Sequence, residues 1–339
     1  MSTNVSALVD RERLIRWALE VPGFYSPTGN EGPIGEYLCE ELRDLGLKTR
    51  LQPIADRRHK VIGLLEGDGT DHRLMLNGHL DVQDIRLGAV SVDPHEPPKV
   101  IDGRHVSGYG IGNMKGALAA FLGAIDVVIR SGVDLRGDLV LAGVVGAHMR
   151  FGDHRQAYVE PQGVGSRHLV THGVLTDMCI LGEPTALQVV PGHVGKCWLR
   201  VQVAPRDRAK GMTPVLAGLA RVAAALEEWL SGYQEAHAYH GVRPEGAVTG
   251  LLSGFPGHVG VPGASSDLFL TVRPIPGLHP LDIHAEVRRV VRDIEYGAGI
   301  STVVYGPAGT HDSVAIEDLL TAARVYTCAA VDLCSRERS

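Results

Sequence analysis

The sequence predicts an α/β layer sandwich interrupted by a smaller α+β unit, and three observations carry that prediction. Helical and extended patterns alternate through the first half of the chain, the arrangement of a sheet covered by helices. Residues 138–145, DLVLAGVV, form an unbroken apolar run, which suits a strand covered on both faces. Near Lys196 the texture changes to half-buried strands and amphipathic helices in the order β-α-β-β-α, a small sheet with helices on one face inserted as a unit.

Taken in order, residues 8–19 carry apolar side chains at helical spacing until Val21-Pro22-Gly23 and Ser26-Pro27-Thr28-Gly29 break the pattern. A second helix over 32–45 gathers Ile34, Tyr37, Leu38, Leu42 and Leu45 on one face, and Gly46 closes it. Strands follow near 61–65 and 73–77, then a long, alanine-rich, largely buried helix over 114–131, and further strands at 138–145 and 178–181. In the second unit, 197–203 alternates like a half-buried strand, and 214–230 is an amphipathic helix with Leu216, Leu219, Val222 and Leu226. Residues 248–252 and 267–272 read as strands and 280–294 as a helix. Residues 300–305, ISTVVY, read as a return to the first sheet, and 314–333 as a closing helix. The expected domains are 1–195 with 298–339, and 196–297.

A chain of 339 residues has room for two domains. With 44% hydrophobic and 21% charged residues it is neither disordered nor fibrous in composition. A formal charge of −6 gives no long-range attraction to phosphate backbones or anionic lipid, and 5% aromatics argues against a platform for stacking single strands. The five cysteines, Cys39, Cys179, Cys197, Cys328 and Cys334, never form a CxxC pair, so they read as buried reduced thiols, with Cys179 and Cys197 in the core. The first residues lack an apolar signal core, and no stretch approaches roughly 18 uncharged apolar residues. The expectation is a cytoplasmic protein with neither a membrane nor a nucleic-acid partner.

Four short motifs carry chemistry. In Asn77-Gly78-His79-Leu80-Asp81 a histidine ends a strand with a carboxylate two residues on, which suits a metal ligand held by that carboxylate. Read alone, it is better explained as a surface histidine near a turn. Gly108-Tyr109-Gly110-Ile111-Gly112-Asn113-Met114-Lys115-Gly116 is a glycine-rich loop entering a helix, with neither the Walker order nor GxGxxG. Leu181-Gly182-Glu183-Pro184-Thr185 sets a carboxylate at the end of an apolar strand, and Tyr305-Gly306-Pro307-Ala308-Gly309-Thr310 leads to His311.

In this order and spacing, and together with the opening Ser26-Pro27-Thr28-Gly29-Asn30-Glu31, these motifs resemble the zinc-dependent aminoacylase, acetylornithine deacetylase and succinyl-diaminopimelate desuccinylase family, which includes glutamate carboxypeptidases. The resemblance covers nearly the whole chain. It implies an α/β/α sandwich catalytic domain of zinc-peptidase type holding two metal ions, with an inserted ferredoxin-like lid that often dimerises. It also implies hydrolysis of an amide bond next to a carboxylate, as in N-acyl amino acids and small peptides. By the same resemblance His79 is a first-site metal ligand, Asp81 the acid that orients it, Glu183 the first-site carboxylate and His311 the second-site histidine.

The chain also departs from that pattern. The bridging aspartate is Asn113, which offers a carbonyl oxygen and no charge. The adjacent Glu-Glu is replaced by Gly146-Ala147-His148-Met149, so no carboxylate stands where the general base belongs. His148 is either a replacement ligand or an exposed loop histidine. Base function would fall to Asp153, His154 or the substrate's own carboxylate. Residues 204–211 lack the lid histidine, for which His258 is the first substitute, while Arg206 and Arg208 suit pairing with a substrate carboxylate. Relatives carry a final lid strand and a further catalytic stretch between the last lid helix and the segment around 297–306, so the chain is short there. The resulting expectation is a zinc hydrolase with one ion or none, a small carboxylate or amino-acid-like substrate, and a homodimer by resemblance. The alternatives are a condensation, acyl-transfer or elimination enzyme on the same fold, and a non-catalytic relative.

Overall fold

A computed structural model describes residues 5–83, 93–148, 150–151, 159–160, 163–190, 196–204, 215–238, 243–253, 266–275, 277–292, 297–305 and 313–334. The chain divides into two compact units, Met1–Val190 with Ala308–Ser339, and Pro191–Pro307.

The first unit opens with α1 (Arg11–Glu20), where the Asp10 carboxylate accepts from the backbone N–H groups of Glu12 and Arg13 and so caps the first turn. Next come α2 (Gly32–Asp44), β1 (Lys48–Ala55), β2 (Arg58–Leu65), β3 (Leu74–His79), β4 (Lys99–Ile101) and β5 (His105–Ser107). A wide turn over Ile111–Lys115 leads into α3 (Gly116–Ser131), followed by β6 (Leu139–Val144), the short pair β7 (Arg150–Phe151) and β8 (Val159–Glu160), α4 (Val164–Thr171) and β9 (Met178–Leu181). The main sheet has the order β1-β2-β6-β3-β9; β1, β2 and β6 run antiparallel, while β6, β3 and β9 are parallel.

Every residue of β3 and β6 is buried because both sheet faces are covered. On one face Leu74, Leu76, Leu139 and Leu141 pack in the same core as Leu118, Phe121, Leu122 and Ile125 of α3. On the other, Met75, Val140, Ala142 and Val144 pack with Leu169 of α4. Ile111–Ser131 is long and apolar enough to cross a membrane by length and composition, but 89% of its most apolar window is buried inside the protein. That burial explains its composition as that of a core helix.

The second unit comprises β10 (Lys196–Ala204), α5 (Val215–Ala236), β11 (Glu245–Leu252), β12 (Ser266–Arg273), α6 (Pro280–Arg292) and β13 (Gly297–Tyr305). Its sheet is antiparallel throughout, in the order β11-β12-β10-β13, which with two helices is the ferredoxin-like arrangement. Cys197, Leu199, Val201 and Val203 alternate inward onto Leu219, Val222 and Leu226 of α5 and Ile283, Val287 and Val291 of α6. β14 (Ser313–Ala315) then pairs with β5 of the first unit, and α7 (Ile316–Leu333) closes the chain.

The fold class is as the sequence predicts: an α/β sandwich with an inserted ferredoxin-like unit. One strand changes place. Residues 300–305, read as a return to the first sheet, lie in β13, which pairs with β10 from Lys196↔Tyr305 to Ala204↔Gly297. An apolar β-branched run fits either sheet, and the open edge of β10 decides which. Two further elements carry no strong sequence signal: β1 is mostly exposed along its length, and α4 is only eight residues. Cys197 is buried as expected, but Cys179 is exposed because β9 alternates at the sheet edge.

Candidate active site

The residues singled out by the motifs gather at the carboxyl ends of the parallel strands, where open α/β sheets place their ligands. β3 delivers His79, the loop after β6 delivers His148, the loop after β9 delivers Glu183, and the wide turn before α3 delivers Asn113. Two glycines permit this convergence. A Cβ on Gly78 would lie 2.7 Å from Met114 Cε and 2.8 Å from Leu118 Cδ2. A Cβ on Gly182 would lie 2.7 Å from Phe121 Cζ and 2.8 Å from Ala117 Cβ. Helix α3 therefore sits directly against the ends of β3 and β9, with Asn113 at its entrance.

His79 is buried, and its Nδ1 is 2.7 Å from the backbone carbonyl oxygen of Asp81. A carbonyl only accepts, so Nδ1 carries a proton and the neutral ring presents a lone pair at Nε2. That Nε2 faces Asn113 Oδ1 at 2.8 Å and Glu183 Oε1 at 3.7 Å. An imidazole nitrogen, an amide and a carboxyl group facing one another can be joined by a proton shared among them or by a metal ion. Burial pushes the Glu183 carboxyl above the usual range, with His79 opposing and Asp81 adding to the shift.

Asp81 is fully buried, and its carboxylate does not hold His79 in the way the resemblance implies. Oδ1 is 3.9 Å from His79 Nδ1 and accepts from the Ala147 N–H at 3.0 Å. Oδ2 accepts from the His148 N–H and from Thr28 Oγ1, both at 2.7 Å. Burial alone would raise the Asp81 carboxyl, but the electrostatic pull of the neighbouring His79 and His148 rings and these two backbone donors hold it below its ordinary value. The orienting group for His79 is the Asp81 main chain.

His148 is half-buried, and its ring stands edge-on to His79 with centroids 5.0 Å apart. Lys115 is buried with Nζ donating to the carbonyl of Phe24, and burial lowers its pKa to about 7 with Asp81 opposing. Among the described residues no three His, Cys, Asp or Glu side chains gather as a metal-binding group. His79 and Glu183 supply two conventional ligands and Asn113 an amide oxygen, a donor set suited to one cation and poor for a bridged pair. His311, Arg206, Arg208, His258, Asp153 and His154 lie outside the described residues. Thr28, which touches both Asp81 and His148, is the residue sequence reasoning passed over; its signal was its place in the Ser26–Glu31 motif.

No family model matches the chain. A stretch of 264 residues is 25% identical to the acetylornithine deacetylase of Yersinia pseudotuberculosis, covering 71% of this chain and 61% of that protein. Over 173 residues it is 30% identical to the succinyl-diaminopimelate desuccinylase of Gluconacetobacter diazotrophicus, covering 50% and 41%. Over 142 residues it is 28% identical to the N-formyl-4-amino-5-aminomethyl-2-methylpyrimidine deformylase of Bacillus subtilis, covering 40% and 33%. The chain thus spans from 33% to 61% of the length of these relatives. In structure it resembles human carnosine dipeptidase 1, with a TM-score of 0.70 at 13% identity over 99% of this chain and 100% of that one. An M20 family metallo-carboxypeptidase from Sulfolobus solfataricus aligns with a TM-score of 0.64 at 13% identity, covering 94% and 98%.

Proposed function

From a chain that is a divergent relative of the acetylornithine deacetylase and succinyl-diaminopimelate desuccinylase family and has the fold of the M20 metallopeptidases, we propose an amidohydrolase with a single divalent cation. Its substrate would be an N-acyl amino acid or a small peptide-like amide. The observation that carries this reading is the convergence of His79 Nε2, Asn113 Oδ1 and Glu183 Oε1 at the strand ends. An imidazole and a carboxylate suit zinc, and the neutral amide at position 113 withholds the charge a second ion needs.

When bound there, a divalent cation supplies Lewis acidity, polarising the scissile carbonyl and making water a stronger acid. The protein's own groups do the rest. The Asp81 carbonyl fixes the His79 tautomer so that Nε2 keeps its lone pair. The Asp81 carboxylate ties down the backbone of Ala147 and His148 and thereby sets the His148 ring beside His79. By the resemblance His148 takes the place of the family's carboxylate pair, and its ring nitrogen can take a proton from water and return it to the leaving amine.

Protein purified without chelator should carry about one zinc per chain, lost on His79→Ala. It should also release free amine from a panel of N-acetyl, N-formyl and N-succinyl amino acids. A protein that takes up no metal under any loading condition would sink the hydrolase reading. In that case a hydrogen bond between His79 Nε2 and the Asn113 side chain accounts for the 2.8 Å contact, and a non-hydrolytic enzyme on this fold becomes the better account.

A further inference from the structure

The segment between α1 and α2 is stapled across the strand ends that carry the site. Ser26 Oγ donates to the Leu80 carbonyl at 2.7 Å, and the Val82 N–H donates back to the Ser26 carbonyl at 2.9 Å. Thr28 Oγ1 donates to Asp81 Oδ2 at 2.7 Å and lies 3.2 Å from the His148 carbonyl oxygen. Its single hydroxyl therefore touches both loops at once, the one after β3 and the one after β6. The far end of the segment is anchored by a buried ion pair. Arg58 of β2 donates from Nε to Glu31 Oε2 at 2.8 Å and from Nη2 to Oε1 at 2.7 Å. Glu31 Oε2 also accepts from the Gly29 N–H at 3.0 Å, next to Thr28. Glu31 and Arg58 are 0% and 4% exposed, so this fork is fixed by the core and cannot relax into solvent.

We infer that Thr28 is a positioning residue: braced by the Arg58–Glu31 fork, its hydroxyl locks the His79–Asp81 loop to the Ala147–His148 loop and so sets the spacing of the candidate catalytic groups. The inference deepens the proposed function and rests on it for its consequence, whereas the brace itself can be tested without metal or substrate. Asp81 without Thr28 keeps its two backbone donors, which still join the loops, but loses the third bond that restrains its carboxylate and, through it, the Ala147–His148 backbone. Valine preserves the shape of threonine and removes the hydroxyl, and serine keeps the hydroxyl and removes the methyl. The comparison therefore isolates the hydrogen bond from packing.

The experiment measures amide hydrogen exchange at Ala147 and His148, together with cobalt(II) affinity and its absorption spectrum, in wild type, Thr28→Val and Thr28→Ser. Exchange at both amides should speed up by about tenfold and cobalt affinity should fall by about tenfold or more in Thr28→Val, with Thr28→Ser close to wild type. Exchange that is unchanged in Thr28→Val, or equally fast in Thr28→Ser, overturns the inference. Should Thr28→Val fail to fold, the smaller Thr28→Ala carries the same comparison. A wild type that takes up no cobalt counts against the metal reading of the site, and the exchange result then decides the brace alone.

Discussion

His79 Nδ1 lies 2.7 Å from the backbone carbonyl oxygen of Asp81 and 3.9 Å from its carboxylate. The two halves of Asp81 therefore do different work. Its main chain fixes the imidazole tautomer, while its carboxylate gathers the N–H groups of Ala147 and His148 and the hydroxyl of Thr28.

Removing that carboxylate should hurt the fold before it alters the histidine. Asp81→Ala leaves the half-buried N–H groups of Ala147 and His148 without their acceptor, at about 1–3 kcal/mol each, while the Thr28 hydroxyl keeps the His148 carbonyl at 3.2 Å. Urea denaturation should show a loss of about 3 kcal/mol or more, with Asp81→Asn intermediate. A wild-type midpoint for Asp81→Ala would contradict this division of roles.

The close approach of α3 to the sheet gives a second expectation. Gly182→Ala puts a methyl 2.7 Å from Phe121 Cζ and 2.8 Å from Ala117 Cβ, so the helix must move away. Overpacking of this kind costs about 1–3 kcal/mol, and here it also shifts Asn113 relative to Glu183. Thermal melting and zinc affinity should fall together, whereas Gly232→Ala, inside α5 with open space at its Cβ, should leave zinc affinity unchanged and melting unchanged or slightly raised.

The Arg58–Glu31 pair is better broken at both ends than at one. Either Arg58→Met or Glu31→Gln leaves one polar partner buried without its counterion, at about 3–5 kcal/mol for a full charge. The double variant should recover part of that loss in a double-mutant cycle read by chemical denaturation. Strictly additive losses would mean the two side chains are not coupled.

Lys60 predicts the pH dependence of stability. It is 0% exposed, Nζ lies 2.6 Å from His168 Nδ1, and burial, with the charge of Arg50, lowers its pKa to about 8 from 10.5. Between those two values the unfolded chain binds more protons than the folded one, so this group makes stability rise with pH over that window. Lys60→Met should therefore be more stable than wild type near pH 7, by at most about 3 kcal/mol, and the advantage should shrink toward pH 10.5. A difference that stays constant from pH 7 to 10.5 would remove Lys60 as its source.

Much of the fold was legible because its strands are local signals. The fully buried β3 and β6 and the amphipathic helices of the second unit show their burial in apolar spacing alone. His79, Asp81 and Glu183 stand at the ends of such strands, so a motif reading located them. Thr28 gave no comparable signal, since its partners are 53 and 120 residues away and a threonine beside a proline reads as turn chemistry. The destination of β13 was equally hidden, because edge pairing depends on which strand offers open N–H and C=O groups.

The sequence by itself determined the two-unit α/β plan, the strand-end histidine and carboxylates, and the presence of an amide at Asn113 and an imidazole at His148. Each is a property of residue type and local spacing. Only the tertiary structure decided which atom of Asp81 holds His79, that His148 stands edge-on to it, and that Thr28 joins the two loops. Those relations are distances of a few ångströms, two of them between segments far apart in sequence, and they depend on how the loops after β3 and β6 and the Ser26–Glu31 segment pack together.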